Sequence, residues 1–147
     1  MIILIDTNVI LDYFISRKPF TDTAETILRL CFQKKCTGYI AAHSVTNIFF
    51  ILRRQFSVAD RKNLLIELCE FVEIADVRKK QVIDALIKKD FIDFEDCLQV
   101  ECAKAVSADY IVTRNIADFS TSPIPVVLPE DFLEKAETYG LKIVKDF

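Results

Sequence analysis

MIILIDTNVILDYF, residues 1–14, is the stretch that decides the fold. Its apolar run at residues 2–5 is typical of a strand buried on both faces in a parallel sheet. Asp6 ends this run, and apolar residues at helical spacing follow it. Because open α/β sheets bind ligands beyond the carboxyl ends of their strands, the stretch predicts a strand, an acid at a binding edge and a helix. Taken alone, Asp6 also fits a turn or a helix cap.

Composition limits the classes of protein to consider. The chain has 147 residues, of which 52% are hydrophobic, and its formal net charge is -3. This length and apolar content predict one domain over residues 1–147. The charge excludes a strongly basic nucleic-acid-binding class, so any nucleic-acid contact relies on local patches. Without a cleavable leader or an apolar run near the ~20 residues that cross a bilayer, we expect a cytoplasmic protein that does not contact a membrane.

Cysteine and glycine exclude further chemistries. The five cysteines match no zinc-binding spacing and are expected to be reduced core residues, at positions 31, 36, 69, 97 and 102. The chain has only two glycines, Gly38 and Gly140. It therefore contains neither a GxGxxG nor a GxxxxGK[ST] motif, which excludes dinucleotide binding and P-loop chemistry.

Strand and helix patterns alternate along the rest of the chain. Further strands are predicted at 38–41, 71–75, 109–113 and 125–128. Helices are predicted to end near 16 and to span 22–35, 44–54, 57–69, 77–89, 93–106 and 129–139. In the helix at 77–89, we expect the buried face to consist of Val82, Ile83, Leu86 and Ile87. Repeated β-α units predict a parallel sheet with helices on both faces, while residues 141–147 fit either an added strand or a mobile tail.

Four aspartates occupy positions that such a sheet can bring together. Asp6 follows the first strand, Asp93 and Asp96 share one face at the start of a helix, and Asp118 lies in the loop after the fourth strand. Carboxylates at close range repel one another unless a proton or a cation joins them. Mg²⁺ or Mn²⁺ takes oxygen ligands, lowers the pKa of bound water and neutralises charge on a phosphodiester. The pattern predicts hydrolysis at a metal, without a protein nucleophile.

Four short motifs follow one another in a characteristic order. They are DTNV at 6–9, DFED at 93–96, TRNIADF at 113–119 and PEDF at 129–132. Together they resemble the motifs of the PIN-domain family, over nearly the whole chain. The resemblance implies a three-layer α/β/α sandwich with a central, mostly parallel sheet of about five strands. It also implies a metal-dependent endoribonuclease of the VapC-like toxin type, which cuts RNA, pairs with a small antitoxin protein and forms a homodimer.

The resemblance also implies roles for individual acids. Asp6, Asp96 and Asp118 correspond to the family's metal-binding residues, with Mg²⁺ or Mn²⁺ as the cofactor. Asp93 resembles a supporting carboxylate that ligates a second ion or orients a water, with a helix N-cap as the alternative. The alternative for Asp118 is a loop residue that fixes a turn.

Three other side chains are expected to support the site. Thr113 resembles the family's hydroxyl residue beside the metal, and Asn8 is expected to order the Asp6 carboxylate by hydrogen bonding. Arg114 is expected to approach the phosphate of the substrate.

One position departs from the family pattern. The family usually has a glutamate on the helix after the second strand, where this chain has Asn47. An amide can coordinate a cation through oxygen but brings no charge and cannot act as a base, so we expect weaker metal affinity or altered activity. Glu95 is a candidate replacement. On a regular helix it points about 100° away from Asp96, which favours ordinary first-turn stabilisation.

These observations leave three functional hypotheses. The favoured one is a Mg²⁺- or Mn²⁺-dependent ribonuclease that acts as the toxin of a toxin-antitoxin pair. The alternative, suggested by Asn47, is a catalytically weakened PIN-like module that binds RNA or a protein partner. A phosphatase with a nucleophilic aspartate ranks lowest, because it requires a second aspartate two residues after Asp6, where this chain has Asn8.

Overall fold

The computed structural model describes residues 1–91 and 93–143. Its strands form one five-stranded sheet in which every pairing is parallel, in the order β3-β2-β1-β4-β5. The strands are β1 Ile2–Ile5, β2 Thr37–Ala41, β3 Glu73–Ala75, β4 Tyr110–Val112 and β5 Val126–Val127. The predicted parallel α/β fold is therefore confirmed.

Helices connect the strands. The α-helices of the described ranges are α1 Thr7–Phe14, α2 Thr21–Phe32, α3 Ala42–Ile51, α4 Val58–Leu68, α5 Lys79–Ile87, α6 Phe94–Ala105 and α7 Pro129–Thr138. Two 3-10 helices, Leu52–Arg54 and Ile116–Phe119, extend α3 and shape the loop after β4.

The three layers follow from the alternation of side chains along β1. Ile3 and Ile5 are fully buried in one core cluster with residues of α1, α2, α3, α4 and α7. Leu4 points to the opposite face and is buried in a second cluster with residues of α6. Because both faces of β1 are covered, its sequence is continuously apolar, as a central parallel strand requires.

The sheet order places the ends of β1 and β4 at the site where such folds bind ligands. From β1 the chain builds outward through β2 and β3, and then returns to the other side of β1 to form β4 and β5. The backbone amide of Asp6 donates to the carbonyl of Val112 at 3.0 Å, so Asp6 and Thr113 lie directly beyond neighbouring strands. The topological switch point of the sheet therefore lies between these two residues.

Several helix ends differ from the prediction by one to three residues, and two of these differences change the expected environment of a residue. Helix α3 begins at Ala42, two residues before its predicted start, so Ser44 is a fully buried residue of its first turn. Helix α4 ends at Leu68, which leaves Cys69 exposed at the C-cap, whereas an inward position was expected. The other four cysteines are buried, and all five are free thiols, as predicted.

Helix α5 has a narrower buried face than its apolar pattern predicts. Of its residues only Ala85 is buried, packed in a small cluster with Cys97 and Leu98 of α6. Three apolar residues expected on the buried face are exposed, namely Ile83, Leu86 and Ile87. The physical reason is that α5 packs mainly on α6, at the periphery of the fold, instead of on the sheet.

Residues 141–143, which follow α7, do not form a strand. The rest of the predicted tail, residues 144–147, lies outside the described part of the chain. None of the helices in the described ranges has the length and hydropathy that crossing a bilayer requires.

Candidate active site

The Asp6 carboxylate is buried and extensively hydrogen-bonded. Its side chain is 5% exposed and accepts four hydrogen bonds. Oδ1 accepts from the Thr7 backbone amide at 2.7 Å and from Gln99 Nε2 at 2.9 Å. Oδ2 accepts from Asn8 Nδ2 at 3.1 Å and from Thr113 Oγ1 at 2.7 Å. Since a carboxylate has about four lone-pair sites, these donors occupy all of them.

The donors come from three elements that meet at the switch point. Thr113 is fully buried just after β4, and its hydroxyl also accepts from the backbone amide of Asn115 at 3.0 Å. Asn8 belongs to the first turn of α1, and the structure places it against Asp6 as the sequence predicts. Asp6 is itself the N-cap of α1, so the capping alternative and the site position describe the same residue.

Gln99 was missed by the sequence reasoning. It is 1% exposed and projects from α6 onto the Asp6 carboxylate. A signal was present, because Gln99 lies three residues after Asp96 and so shares a face of the helix with it.

A cavity of about 300 Å³ opens beside α6 and the 3-10 helix after β4. Four aspartates line it together with Phe91, Ala117, Ser120 and Thr121, and they are Asp90, Asp93, Asp96 and Asp118. Three of these acids were predicted from the sequence. Asp90 was not, because nothing in its sequence context distinguishes it from a solvated loop residue. Asp93 also caps α6, accepting from the backbone amide of Asp96 at 3.0 Å.

The pKa of Asp96, one of the acids that line the cavity, is strongly raised. Burial raises the pKa of its carboxyl from the ordinary value of 3.8 to about 7, with further contributions from the charges of Asp93, Asp6, Asp118 and Glu95. Asp6, Asp93 and Asp118 therefore lie close enough to Asp96 for their charges to affect its ionisation. A group with such a shifted pKa in a cavity is a candidate for a functional role.

Asn47 and Glu95 form a contact between α3 and α6. The Asn47 Nδ2 donates a short hydrogen bond to Glu95 Oε1, which joins the middle of α3 to the first turn of α6. His43, one turn before Asn47, also faces this region. Burial lowers the pKa of its imidazole, whereas the charges of Glu95 and Asp6 and the backbone of Glu95 raise it to a smaller extent.

Arg114 lies away from the acids of the cavity. Its guanidinium forms a bidentate pair with Asp12, with Nε to Oδ2 at 2.6 Å and Nη2 to Oδ1 at 3.0 Å. It also stacks on Phe20, 4.1 Å from the ring centroid. Asp12 is 1% exposed and has a second cation, Arg17, at 3.6 Å. A carboxylate among the buried residues of α1 requires such a partner, and this was the available signal for a residue that the sequence analysis did not identify.

The donor set fits a hard divalent ion in its chemistry. Within the described ranges, no three His, Cys, Asp or Glu side chains stand ready to coordinate one ion, so an ion held by three of these acids requires the carboxylates to move closer together. The amide oxygens of Asn8 and Gln99 are buried beside Asp6 and have no hydrogen-bond partner among the described residues. Oxygen donors and mutually repelling carboxylates suit Mg²⁺ or Mn²⁺.

Fold and site together define a three-layer α/β/α protein with a buried aspartate, Asp6, at the switch point of a parallel sheet and an acidic cavity beside α6, which Asp6 does not line. The family model for the PIN domain matches residues 2–117, and the chain belongs to this family.

Relatives of known structure or name agree with this assignment. The ribonuclease VapC1 of Aquifex aeolicus (strain VF5) is 27% identical over 143 residues, covering 92% of this chain and 96% of the relative. The crystal structure of VapBC2 from Rickettsia felis, bound to a DNA fragment from their promoter, aligns with a TM-score of 0.66 at 20% identity, over 87% of this chain and 98% of that chain. VapC20 of Mycobacterium tuberculosis, a sarcin-ricin loop cleaving toxin, aligns with a TM-score of 0.64 at 17% identity, over 83% and 95% of the two chains.

Proposed function

We propose that this chain is a metal-dependent endoribonuclease that hydrolyses RNA phosphodiester bonds with Mg²⁺ or Mn²⁺ as its cofactor. The observation that carries the proposal is the raised pKa of Asp96, about 7, which burial causes first and the charges of Asp93, Asp6, Asp118 and Glu95 increase further. Membership of the PIN domain family and the similarity to a protein named as a ribonuclease support it.

Asp6, Asp96 and Asp118 are the residues that would hold the ion. A bound ion of this kind lowers the pKa of a coordinated water and neutralises charge on the phosphodiester. Asp93 supports the site from the cap of α6, where its Oδ1 is occupied by the Asp96 amide. Its remaining oxygen is available to orient a water or to accept a proton from it.

The protein residues impose two conditions on metal binding. Asp96 is about half protonated near pH 7 and must release its proton before its carboxylate can act as a ligand, so metal binding should release protons. Asp6 uses all four lone-pair sites on protein donors, so it must give up one hydrogen bond to become a ligand. Asn8 and Gln99 are the donors whose amide oxygens have no other partner among the described residues.

Contact between Arg114 and the phosphate of the substrate stays a prediction. The guanidinium is held by Asp12, and its side chain is 24% exposed. A phosphate that approached it would compete with a buried, bidentate ion pair, which is a strong interaction.

The test combines Mn²⁺ titration by calorimetry with RNA cleavage on the same samples. Wild type should bind Mn²⁺ and cleave, and EDTA should abolish cleavage. Asp6→Asn and Asp118→Asn should lose both properties, because each removes a metal-binding charge. Asp131→Asn, an exposed acid in the first turn of α7, is the control and should behave as wild type. Cleavage that persists in EDTA, or in Asp6→Asn at the wild-type rate, would contradict the proposal.

A non-catalytic PIN-like module is the second candidate, favoured by the neutral Asn47 at the position where the family usually has a glutamate. It predicts RNA or protein binding with neither Mn²⁺ affinity nor cleavage in the wild-type chain. Recovery of both in Asn47→Glu would support this reading.

The biological setting is part of the proposal. We place the chain as the toxin of a toxin-antitoxin pair, acting in the cytoplasm as a homodimer and inhibited by a small antitoxin protein. The support is similarity of fold to VapBC2 of Rickettsia felis and to VapC20 of Mycobacterium tuberculosis, a sarcin-ricin loop cleaving toxin. Co-expression with the product of a neighbouring small gene, followed by co-purification, tests the partner. Light scattering of the purified chain tests the dimer.

A further inference from the structure

Asn47 and Glu95 form a contact between residues 48 positions apart in the chain. The contact joins α3 to the first turn of α6. It is a hydrogen bond from the side-chain amide of Asn47 to one carboxylate oxygen of Glu95. We infer that Glu95 is a metal-binding carboxylate of this site and that Asn47 is the positioning residue that holds it there. This inference rests on the proposed nuclease function.

The direction of the Glu95 carboxylate supports the inference. On a regular helix Glu95 projects about 100° from Asp96, and its hydrogen bond with Asn47 directs the carboxylate towards α3. Its charge acts on the imidazole of His43, which Asp6 influences as well. The Glu95 charge is therefore within electrostatic range of the acids at the switch point.

The neutral residue at position 47 is required by this arrangement. A glutamate there would place a second negative charge at hydrogen-bond distance from Glu95, and like charges at that separation repel strongly. An asparagine instead donates to Glu95 and leaves its second oxygen, Oε2, available to a cation. In this arrangement α6 supplies, through Glu95, the carboxylate that the family usually has on α3, so the charge of the site is kept.

The competing explanation is that Glu95 only stabilises the first turn of α6. It occupies the second helical position, where an acid interacts favourably with the helix dipole. Helix α7 offers a matched control, because Glu130 is an exposed acid at the same helical position. Glu130→Gln removes the same dipole interaction at a residue that has no assigned role in the site.

The central experiment measures Mn²⁺ affinity by calorimetry in three variants. Glu95→Gln keeps the size of the side chain and an oxygen that accepts from Asn47, and removes only the charge. We expect its Mn²⁺ dissociation constant to rise at least about tenfold. Asn47→Glu combined with Glu95→Gln exchanges the two groups, and we expect an affinity within about threefold of wild type. Glu130→Gln should match wild type.

A double-mutant cycle tests the positioning role of Asn47. Asn47→Ala should weaken Mn²⁺ binding in the wild-type background, because the Glu95 carboxylate loses its hydrogen-bond donor. The same change should have little further effect in Glu95→Gln, where no charge remains to be positioned. Additive effects would mean that Asn47 acts independently of Glu95 and would overturn its assigned role.

The outcomes separate this inference from the proposed function. If wild type binds Mn²⁺ and cleaves RNA while Glu95→Gln binds Mn²⁺ with the same affinity, the inference is overturned and the nuclease proposal stands. If wild type neither binds nor cleaves, the nuclease proposal fails and the inference fails with it. Circular dichroism establishes folding, and if Glu95→Gln alone does not fold, the exchange variant decides, since failure to bind Mn²⁺ in its folded form contradicts the inference.

Discussion

Replacing Asp96 by asparagine should stabilise the metal-free protein while removing its affinity for Mn²⁺. The Asp96 carboxyl is half-buried and lies within electrostatic range of Asp93, Asp6, Asp118 and Glu95. In the absence of an ion, its charge is unfavourable in the folded state because it is partly removed from water and repelled by these acids. Asparagine has nearly the same shape, cannot ionise and avoids both costs. The variant therefore separates the two consequences of the same charge, namely lower stability of the apo form and metal binding.

The expected magnitude follows from the pKa of Asp96. The pKa rises from 3.8 to about 7. At about 1.4 kcal/mol per pH unit, this corresponds to a loss of at most about 4 kcal/mol in the free energy of unfolding. The carboxyl is only half-buried, so solvent screening reduces the cost to about 1–2 kcal/mol. For a domain of this size we expect the melting temperature to rise by about 4 °C in Asp96→Asn.

The pH dependence has a definite sign. The pKa of Asp96 is higher in the folded state than in the unfolded state, so between about 4 and 7 the folded protein binds more protons and wild type loses stability as pH rises. Asp96→Asn has no such loss. The two proteins should therefore have similar stability near pH 4, diverge up to pH 7 and keep a constant difference above it.

Thermal melts of both proteins in EDTA at pH 4.5, 6 and 8 test this reasoning. Asp131→Asn is the matched control, because Asp131 is exposed at the same helical position of α7 as Asp96 in α6. The control should gain no stability at any pH. A melting temperature for Asp96→Asn at or below wild type at pH 8 would refute the proposed cost of the Asp96 charge, and unchanged Mn²⁺ affinity would refute the role of Asp96 in binding.

Three further substitutions test the packing and pairing of side chains in the fold by urea unfolding. Arg114→Ala should cost about 2–3 kcal/mol, less than the about 3–5 kcal/mol for a buried charge left without any partner, because Asp12 keeps the more distant Arg17; a cost below about 1 kcal/mol would contradict this. Gly38→Ala should cost about 1–3 kcal/mol, since a Cβ there would lie 2.6 Å from Cys31 Sγ. The same change in a Cys31→Ala background should cost much less, and equal costs would locate the clash elsewhere. Thr113→Val should cost about 1–3 kcal/mol by removing a hydrogen-bond donor from a buried carboxylate, and an unchanged midpoint would show that the hydroxyl is dispensable.

The fold was largely predictable because its signals are local. The apolar run of β1 and the helical spacing after Asp6 predicted the first unit, and the same alternation predicted four more strands. Where prediction was wrong, a local pattern was overridden by position. The apolar residues of α5 have helical spacing, yet Ile83, Leu86 and Ile87 are exposed because that helix packs on α6 at the periphery.

The site was only partly predictable. Asp6 and Asp96 follow recognisable signals, a strand end and a helix start, and the structure brings them within electrostatic range. Gln99 and Asp90 carry no such signal as single residues, although the three-residue spacing of Gln99 from Asp96 points to a shared face. The partner of Arg114 is Asp12, 102 positions away, and no local pattern connects the two.

The sequence by itself determined the classes of element, the parallel character of the sheet and the acids at its edge, because hydrophobic period and capping chemistry act over a few residues. Only the tertiary structure decided which side chains meet. It paired Arg114 with Asp12, placed four donors on Asp6 and joined Asn47 to Glu95. The physical reason is that these contacts depend on the order of strands in the sheet and on how α3 and α6 pack around it, and hydrogen bonds and charges then act over distances of only a few ångströms.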